Sequence, residues 1–348
     1  MSVAFQPGLV TTGIGSVPFT DAAEAVAFLL DADLNIPFWP QLSKRCFAEE
    51  MVPQYGCAVP CVRIDADRKV IHLDASEKLS ELEAFYHKFL AEDPSLFALP
   101  QDAAAGFYAF EREAAGRTWP VVKGQLTGPI TLCTSIFDED KRPLFGDPEL
   151  RDAVVKALVR QAQWQIGRLK PFASERVLIF VDEPVLAAFG SSGYLYLSEE
   201  DVLAMLGEVF DAIREAGAMT GIHVCGNSDW GLIARSGVDV LNFDAYQYGR
   251  SISLYPDDLR AFFDRGGSVA WGIVPTTSAI NEAKADALVQ RLRSCFDAMA
   301  EKGFPIDRLR ERAVITPSCG TGPLEPSQAR RVFELLADVR DAVLAQAG

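Results

Sequence analysis

The sequence is poor in positive charge for its length, with 33 lysines and arginines against 48 aspartates and glutamates in 348 residues. The formal net charge is therefore −15 at pH 7. Nucleic acids and anionic membranes are bound mainly through lysine and arginine. This balance argues against both as partners and favours a small-molecule ligand.

Long apolar runs and a secretion signal are also lacking. No apolar stretch approaches the roughly 20 residues that cross a bilayer. The start, MSVAFQPGLVTTG, has no charged segment followed by an apolar one, so we expect a cytoplasmic protein. Seven cysteines, an odd number without disulfide-like spacing, suit a reducing compartment in which a thiolate can bind a metal.

A glycine-rich phosphate loop is missing after the first apolar run, where TTGIGSVPFT has too few glycines for a dinucleotide-binding fingerprint. This disfavours a doubly wound sheet. Eight short β-branched runs instead alternate with helical periodicity, which predicts a single (β/α)8 TIM barrel of the α/β class. The predicted strands are 9–15, 33–39, 120–126, 176–182, 219–225, 238–244, 267–273 and 312–318. The clearest predicted helices are 149–169, 199–216, 281–301 and 326–345.

The stretch from about 44 to 118 is too long for an ordinary loop between a strand and a helix. It contains CVRIDADRKVIHLD, in which two alternating runs around DADR predict a hairpin. We interpret 44–118 as an insertion at the barrel mouth that includes some helix, and 1–348 as a single domain.

Barrel enzymes place their functional groups where strands end. His223, one of only three histidines, and Cys225 end the fifth predicted strand, where residues two apart share a face. Cys319 follows the eighth strand. Two thiolates and an imidazole fit a zinc site with one open position, and Asp244, after the sixth strand, is a candidate fourth ligand that substrate displaces. The plainer alternatives are a core histidine, small cysteines and an aspartate that caps a helix.

Six segments resemble, in order, the catalytic barrel of cobalamin-independent methionine synthase, within the uroporphyrinogen decarboxylase-like superfamily. They are TTGIGSVPFT, GQLTGPITL, DEPVL, HVC, WGIVP and SCG, and they extend over nearly the whole chain. The resemblance implies a (β/α)8 barrel whose zinc binds the sulfur of homocysteine while that sulfur receives a methyl group. By position it implies zinc ligation by His223, Cys225 and Cys319, with Asp244 where that family has a glutamate.

The same resemblance implies where the amino acid binds. The turn of Ile14, Gly15 and Ser16 would hold its carboxylate, and Asp182 would hold its ammonium group through a charge-assisted hydrogen bond. The predicted catalytic residues are Asp182 and Asp244, and Glu183 is a secondary candidate for substrate binding. From the residues alone, the alternatives are a turn needed only for its geometry and a purely structural acid.

Three departures from the family bear on the methyl donor. Its full-length enzymes have an N-terminal second barrel that is absent from this sequence and contributes to binding polyglutamylated folate. The motif HVCGN is closer to that of corrinoid-dependent thiol methyltransferases, such as those acting on coenzyme M. The stretch 36–50 lacks the expected histidine-glycine-glutamate. A methylcorrinoid carried by a partner protein is therefore as consistent with the sequence as methyltetrahydrofolate, and we expect the corrinoid.

The sequence thus predicts a zinc-dependent thiol S-methyltransferase that converts homocysteine to methionine. Zinc suits this chemistry because coordination deprotonates a thiol that is otherwise mostly protonated at neutral pH. Three alternatives stay open: a corrinoid-dependent methyltransferase for another thiol, a decarboxylase like uroporphyrinogen decarboxylase that needs no metal, and a zinc-binding scaffold without turnover.

Overall fold

A seven-stranded parallel sheet forms the centre of the computed structural model, which describes residues 5–345. Its strands are β1 (Val10–Thr11), β4 (Trp119–Thr127), β5 (Ala173–Asp182), β6 (Met219–Val224), β7 (Val240–Phe243), β8 (Ser268–Val274) and β9 (Ala313–Pro317). They lie side by side in the order β1-β9-β8-β7-β6-β5-β4. The sheet is curled and consistent with a TIM-like barrel, but it has seven regular strands, so the prediction of eight is wrong in that respect.

The missing strand is the predicted run 33–39, which forms no regular strand although it lies between the two edges of the sheet. The amide of Ile36 donates to the carbonyl of Thr11 in β1 at 3.0 Å, and the amide of Lys123 in β4 donates to the carbonyl of Pro37 at 2.9 Å. Phe38 and Lys123 form an isolated parallel bridge. Pro37 has no N–H to give to a ladder, which explains why this segment does not pair regularly.

The interior of the curled sheet holds its own apolar cluster, separate from the layer between strands and helices. Its members come from the segment 33–39 and from every long strand: Ile36, Val121, Leu178, Phe180, Met219, Val240, Ala270 and Val314. Such a ring of inward-facing side chains is how a barrel fills its centre.

The four helices that the sequence predicted most clearly are confirmed within a few residues. They are α6 (Pro148–Leu169), α7 (Glu199–Glu215), α11 (Ala285–Ala300) and α13 (Pro326–Ala345). Side-chain caps fix two of the starts, because the carboxylate of Asp147 accepts the amides of Glu149 and Leu150, and the hydroxyl of Ser198 accepts the amide of Asp201.

The remaining α-helices along the sheet are shorter. They are α1 (Ala22–Asp31), α5 (Pro129–Ser135), α8 (Trp230–Arg235), α9 (Ala245–Tyr248), α10 (Pro256–Asp264) and α12 (Ile306–Glu311). Among residues 5–345, no helix has the length and apolar character needed to cross a membrane.

The segment 44–118 contains the predicted hairpin, formed by the antiparallel strands β2 (Val62–Asp65) and β3 (Val70–Leu73). It also contains α2 (Met51–Gly56), α3 (Lys78–Leu90) and α4 (Ala105–Glu113). Its first helix lies at the carboxyl end of β4, where the Thr127 hydroxyl donates to the carbonyl of Met51 at 2.6 Å. The interpretation of 1–348 as one domain with this insertion stays a prediction.

Candidate metal centre

His223, Cys225 and Cys319 come together as the sequence predicted. One ring nitrogen of His223 and the two sulfur atoms all lie within 4.8 Å of one another. His223 belongs to β6 and Cys319 follows β9, and two strands lie between them in the sheet. In a flat sheet those strands would be about 14 Å apart. The curl of the sheet therefore brings these three ligand atoms to one point.

Hydrogen bonds determine which nitrogen of His223 is free. The side-chain nitrogen of Asn242 donates to the carbonyl of Ala270 at 2.9 Å and to the hydroxyl of Thr316 at 2.8 Å. Since a carbonyl can only accept, the amide oxygen of Asn242 must face the ring, and it lies 2.5 Å from Nδ1 of His223. The ring then carries its proton on Nδ1. Nε2 is buried and has no hydrogen-bond partner among residues 5–345, as a metal-ligating nitrogen should be.

The two cysteines lie against each other. The hydrogen bond from the Cys319 thiol, helped by the adjacent His223 imidazole, lowers the pKa of Cys225 to about 4. The same hydrogen bond with Cys225, together with burial, raises the pKa of Cys319 well above its usual value. Two sulfurs this close cannot both ionise easily unless a cation lies between them. Two sulfurs and one unpartnered imidazole nitrogen fit the donor set that zinc prefers, with room for a fourth ligand.

Asp244 does not belong to this group of converging atoms. It caps α9, because its Oδ1 accepts the amide of Gln247 at 2.9 Å and its Oδ2 accepts the side-chain nitrogen of Gln247 at 2.9 Å. The structure thus shows the helix cap that was the plainer alternative. Metal ligation by Asp244 would require its carboxylate to move toward the three converging atoms, and the fourth-ligand role stays a prediction.

Asp182 lies beside His223, Cys225 and Cys319, which are called the metal-binding group below because their converging atoms could hold a metal. It ends β5 and is paired in register with His223 in β6. Its Oδ1 is buried and finds no hydrogen-bond partner among the described residues. Burial raises the pKa of Asp182 to about 6, although the nearby His223 and Lys123 oppose the shift. A buried carboxylate oxygen left unpartnered is costly, and a ligand that donates a hydrogen bond would remove that cost.

Glu183 has a different environment from its neighbour. Its side chain is fully buried and accepts hydrogen bonds from the amides of Ile130 and Thr131, each at 2.8 Å, and from the Thr131 hydroxyl at 2.6 Å. It therefore holds the first turn of α5, and a Cβ on Gly128 would lie 2.1 Å from its carboxylate. Both oxygens are occupied, so nothing in this geometry offers Glu183 to a substrate.

The turn of Ile14, Gly15 and Ser16 adjoins the metal-binding group through Gly320, the residue after Cys319. A Cβ on Gly320 would lie 2.1 Å from the Ser16 hydroxyl, so a larger residue at 320 would force that hydroxyl to turn away. The carbonyl of Gly15 accepts the amide of Gln41 at 3.0 Å, and that of Ser16 accepts the amide of Thr321 at 2.8 Å. Within the described chain, the amides of Gly15 and Ser16 donate to no backbone carbonyl. These two consecutive amides are therefore left available as donors to a ligand.

Sequence reasoning missed Asn242 and Lys123, which are both fully buried polar residues inside strands. The nitrogen of the Lys123 side chain donates to the carbonyl of Ile14, at the turn just described. A signal was present for both, because a polar side chain in an apolar run such as PVVKGQL or VDVLNFD has to find partners within the core. The identity of those partners depends on contacts between distant parts of the chain.

No protein-family model matches the chain, and no curated protein matches it. A B12-independent methionine synthase from Shewanella sp. W3-18-1, solved in complex with selenomethionine, is 14% identical with a TM-score of 0.58; the match covers 97% of this chain and 99% of that one. A glycoside hydrolase is 12% identical over 97% and 100% of the two chains, with a TM-score of 0.47. The 3-keto-D-glucoside 4-epimerase of E. coli is 13% identical over 68% and 85%, with a TM-score of 0.37. The first likeness shows a shared fold, and the other two are too distant to inform the site.

Proposed function

We propose that this chain is a zinc-dependent thiol S-methyltransferase whose acceptor is homocysteine, which it converts to methionine. The observation that carries the proposal is the convergence of the free Nε2 of His223 with the sulfurs of Cys225 and Cys319 within 4.8 Å. Bound zinc would keep the acceptor sulfur deprotonated and therefore nucleophilic at neutral pH. Two thiolate ligands leave the site little net positive charge, which keeps that sulfur electron-rich.

The residues around the metal-binding group suit the ammonium group and the carboxylate of an amino acid. The unpartnered Oδ1 of Asp182 would accept a hydrogen bond from the substrate ammonium group. The amides of Gly15 and Ser16 would donate to the substrate carboxylate. The methionine synthase of like fold was solved with selenomethionine, an amino acid of the same form as the proposed product.

The transfer itself forms one bond and breaks one. The thiolate sulfur attacks the methyl carbon, and the bond from that carbon to the donor breaks with its electron pair remaining on the donor. The described residues act on the acceptor, so the donor has to be held within attack distance by its own contacts. On the HVCGN motif and the altered stretch 36–50, we propose a methylcorrinoid as the donor, with methyltetrahydrofolate as the alternative.

The test is methyl transfer by purified protein with a measured zinc content. Isotopically labelled methylcobalamin or methyltetrahydrofolate is incubated with homocysteine, and labelled methionine is measured by mass spectrometry. Removal of the metal by a chelator should abolish the product, and added zinc should restore it. Absence of zinc from the purified protein would instead favour the metal-free decarboxylase. Methylation of coenzyme M in place of homocysteine would favour another thiol as the acceptor.

A further inference from the structure

Lys123 lies in the middle of β4, and its side chain is fully buried. Its nitrogen lies 4.7 Å from the ring centroid of Phe180 and 5.3 Å from that of Phe38. Within residues 5–345 it forms no ion pair with a carboxylate, and burial lowers the pKa of Lys123 to about 7 against the opposing charge of Asp182. Burying an ammonium group is unfavourable, and a methionine would fill the same space without that cost.

The strongest polar contact of Lys123 is with the backbone of the turn at 14–16. Its nitrogen donates to the carbonyl of Ile14 and lies 3.4 Å from the side-chain oxygen of Gln125. The peptide group that joins Ile14 to Gly15 is trans, so its N–H points away from its carbonyl and therefore away from Lys123. A charged donor on the carbonyl polarises the peptide and makes that N–H a stronger donor.

The neighbouring peptide groups are held in the same way but by uncharged donors. The amide of Gln41 binds the carbonyl of Gly15, and the amide of Thr321 binds the carbonyl of Ser16. The carbonyls of this turn are thus held by other groups of the protein, while in the part of the chain that the structure describes the amides of Gly15 and Ser16 donate to no backbone carbonyl. Lys123 is the ionisable donor of this set, and it contacts the turn on the side opposite the N–H of Gly15.

We propose that Lys123 is a positioning residue that gives this site its preference for thiols carrying a carboxylate. It holds and polarises the peptide between Ile14 and Gly15, and the N–H of that peptide receives the carboxylate of the acceptor. This inference rests on the proposed function, because it takes the 14–16 turn as the carboxylate site. The ammonium group of Lys123 does not touch the acceptor; it acts through the backbone.

The experiment compares two thiols by calorimetry on zinc-loaded protein: homocysteine and aminopropanethiol, its decarboxylated analogue. Lys123→Met removes the charge and the donor at similar volume, whereas Lys123→Gln keeps an N–H donor without charge. Lys302→Met is the matched control, because Lys302 is exposed. We expect Lys123→Met to bind homocysteine about tenfold more weakly with little change for aminopropanethiol, Lys123→Gln to fall between, and Lys302→Met to match the unaltered protein.

An unchanged ratio of the two affinities in Lys123→Met would overturn the inference. This holds whether both affinities stay the same or both fall by the same factor, as a merely structural role would cause. If Lys123→Met does not fold, the ratio in Lys123→Gln decides in the same way. If the unaltered protein shows no preference for homocysteine over aminopropanethiol, the proposed acceptor fails as well, which separates that failure from a failure specific to Lys123.

Discussion

The side-chain oxygen of Asn242 lies 2.5 Å from Nδ1 of His223, and this contact leaves Nε2 of the same ring as the nitrogen that faces the two cysteines. Asn242 is also bound to β8 through the carbonyl of Ala270 and to β9 through Thr316, three residues before Cys319. The buried side-chain amide of Asn242 therefore links His223 to β9, the strand that precedes Cys319.

Replacement of Asn242 by Ala should weaken zinc binding by about 10- to 100-fold, because the imidazole loses the acceptor that fixes its tautomer and orientation. Competition with a chromophoric chelator measures the affinity. Asn227→Ala is the matched control, since Asn227 is exposed on the loop after Cys225. Thr316→Val should cause a smaller loss in the same direction. Unchanged zinc affinity in Asn242→Ala would show that the hydrogen bond does not orient the ligand.

Cys225→Ser and Cys319→Ser should each lose bound zinc while the protein stays folded, because each removes one of two thiolate ligands from a site outside the apolar core. Atomic emission measures the metal content, and circular dichroism checks the fold. Cys57→Ser should retain the metal, since Cys57 is exposed and lies in α2's C-terminal turn. Full zinc retention in both ligand variants would exclude this site.

Much of this centre could be predicted from the sequence because it follows from rules that act locally. A histidine and a cysteine two residues apart at the end of an apolar run share a face, and the ends of parallel strands meet at one edge. The regular strand predicted at 33–39 failed for an equally local reason, the missing N–H of Pro37 within it. The helix-capping role of Asp244 was visible only as one of two alternatives.

The partners of buried polar residues could not be predicted in this way. Asn242 forms side-chain hydrogen bonds with residues that lie 19, 28 and 74 positions away in the chain. The side chain of Lys123 donates a hydrogen bond to the carbonyl of Ile14, which lies 109 positions away in the chain. The sequence shows only that such side chains need partners, because the register and curl of the sheet decide which groups they meet.

Asp182→Asn should weaken homocysteine binding by about 2 kcal/mol, because the substrate ammonium group loses its charged acceptor in a desolvated position. Binding of a simple alkyl thiol should change little, so calorimetry with both ligands isolates the effect. Equal affinity of the unaltered protein for the two thiols would contradict the amino-acid acceptor and favour a substrate like coenzyme M.

Glu183→Gln is the matched comparison, since it makes the same chemical change one residue along the chain. It should leave the preference for homocysteine intact but lower the free energy of unfolding by about 1–3 kcal/mol, because one buried amide of α5 loses its acceptor. Urea denaturation measures this loss. A changed preference between the two thiols in Glu183→Gln would instead indicate that Glu183 contributes to substrate binding.

The last prediction concerns the methyl donor. Methylcobalamin should support faster turnover with homocysteine than methyltetrahydrofolate when the two are compared side by side at equal concentration. The reason is that zinc activates the acceptor alone, so a donor has to be brought to the barrel mouth by contacts of its own, and poor positioning costs large factors in rate. A corrinoid carried by a partner protein would bring a docking surface with it, and the segment 44–118 is the natural place to receive it. Faster turnover with methyltetrahydrofolate would overturn the corrinoid prediction while leaving the zinc-activated thiol in place, because both donors meet the same acceptor.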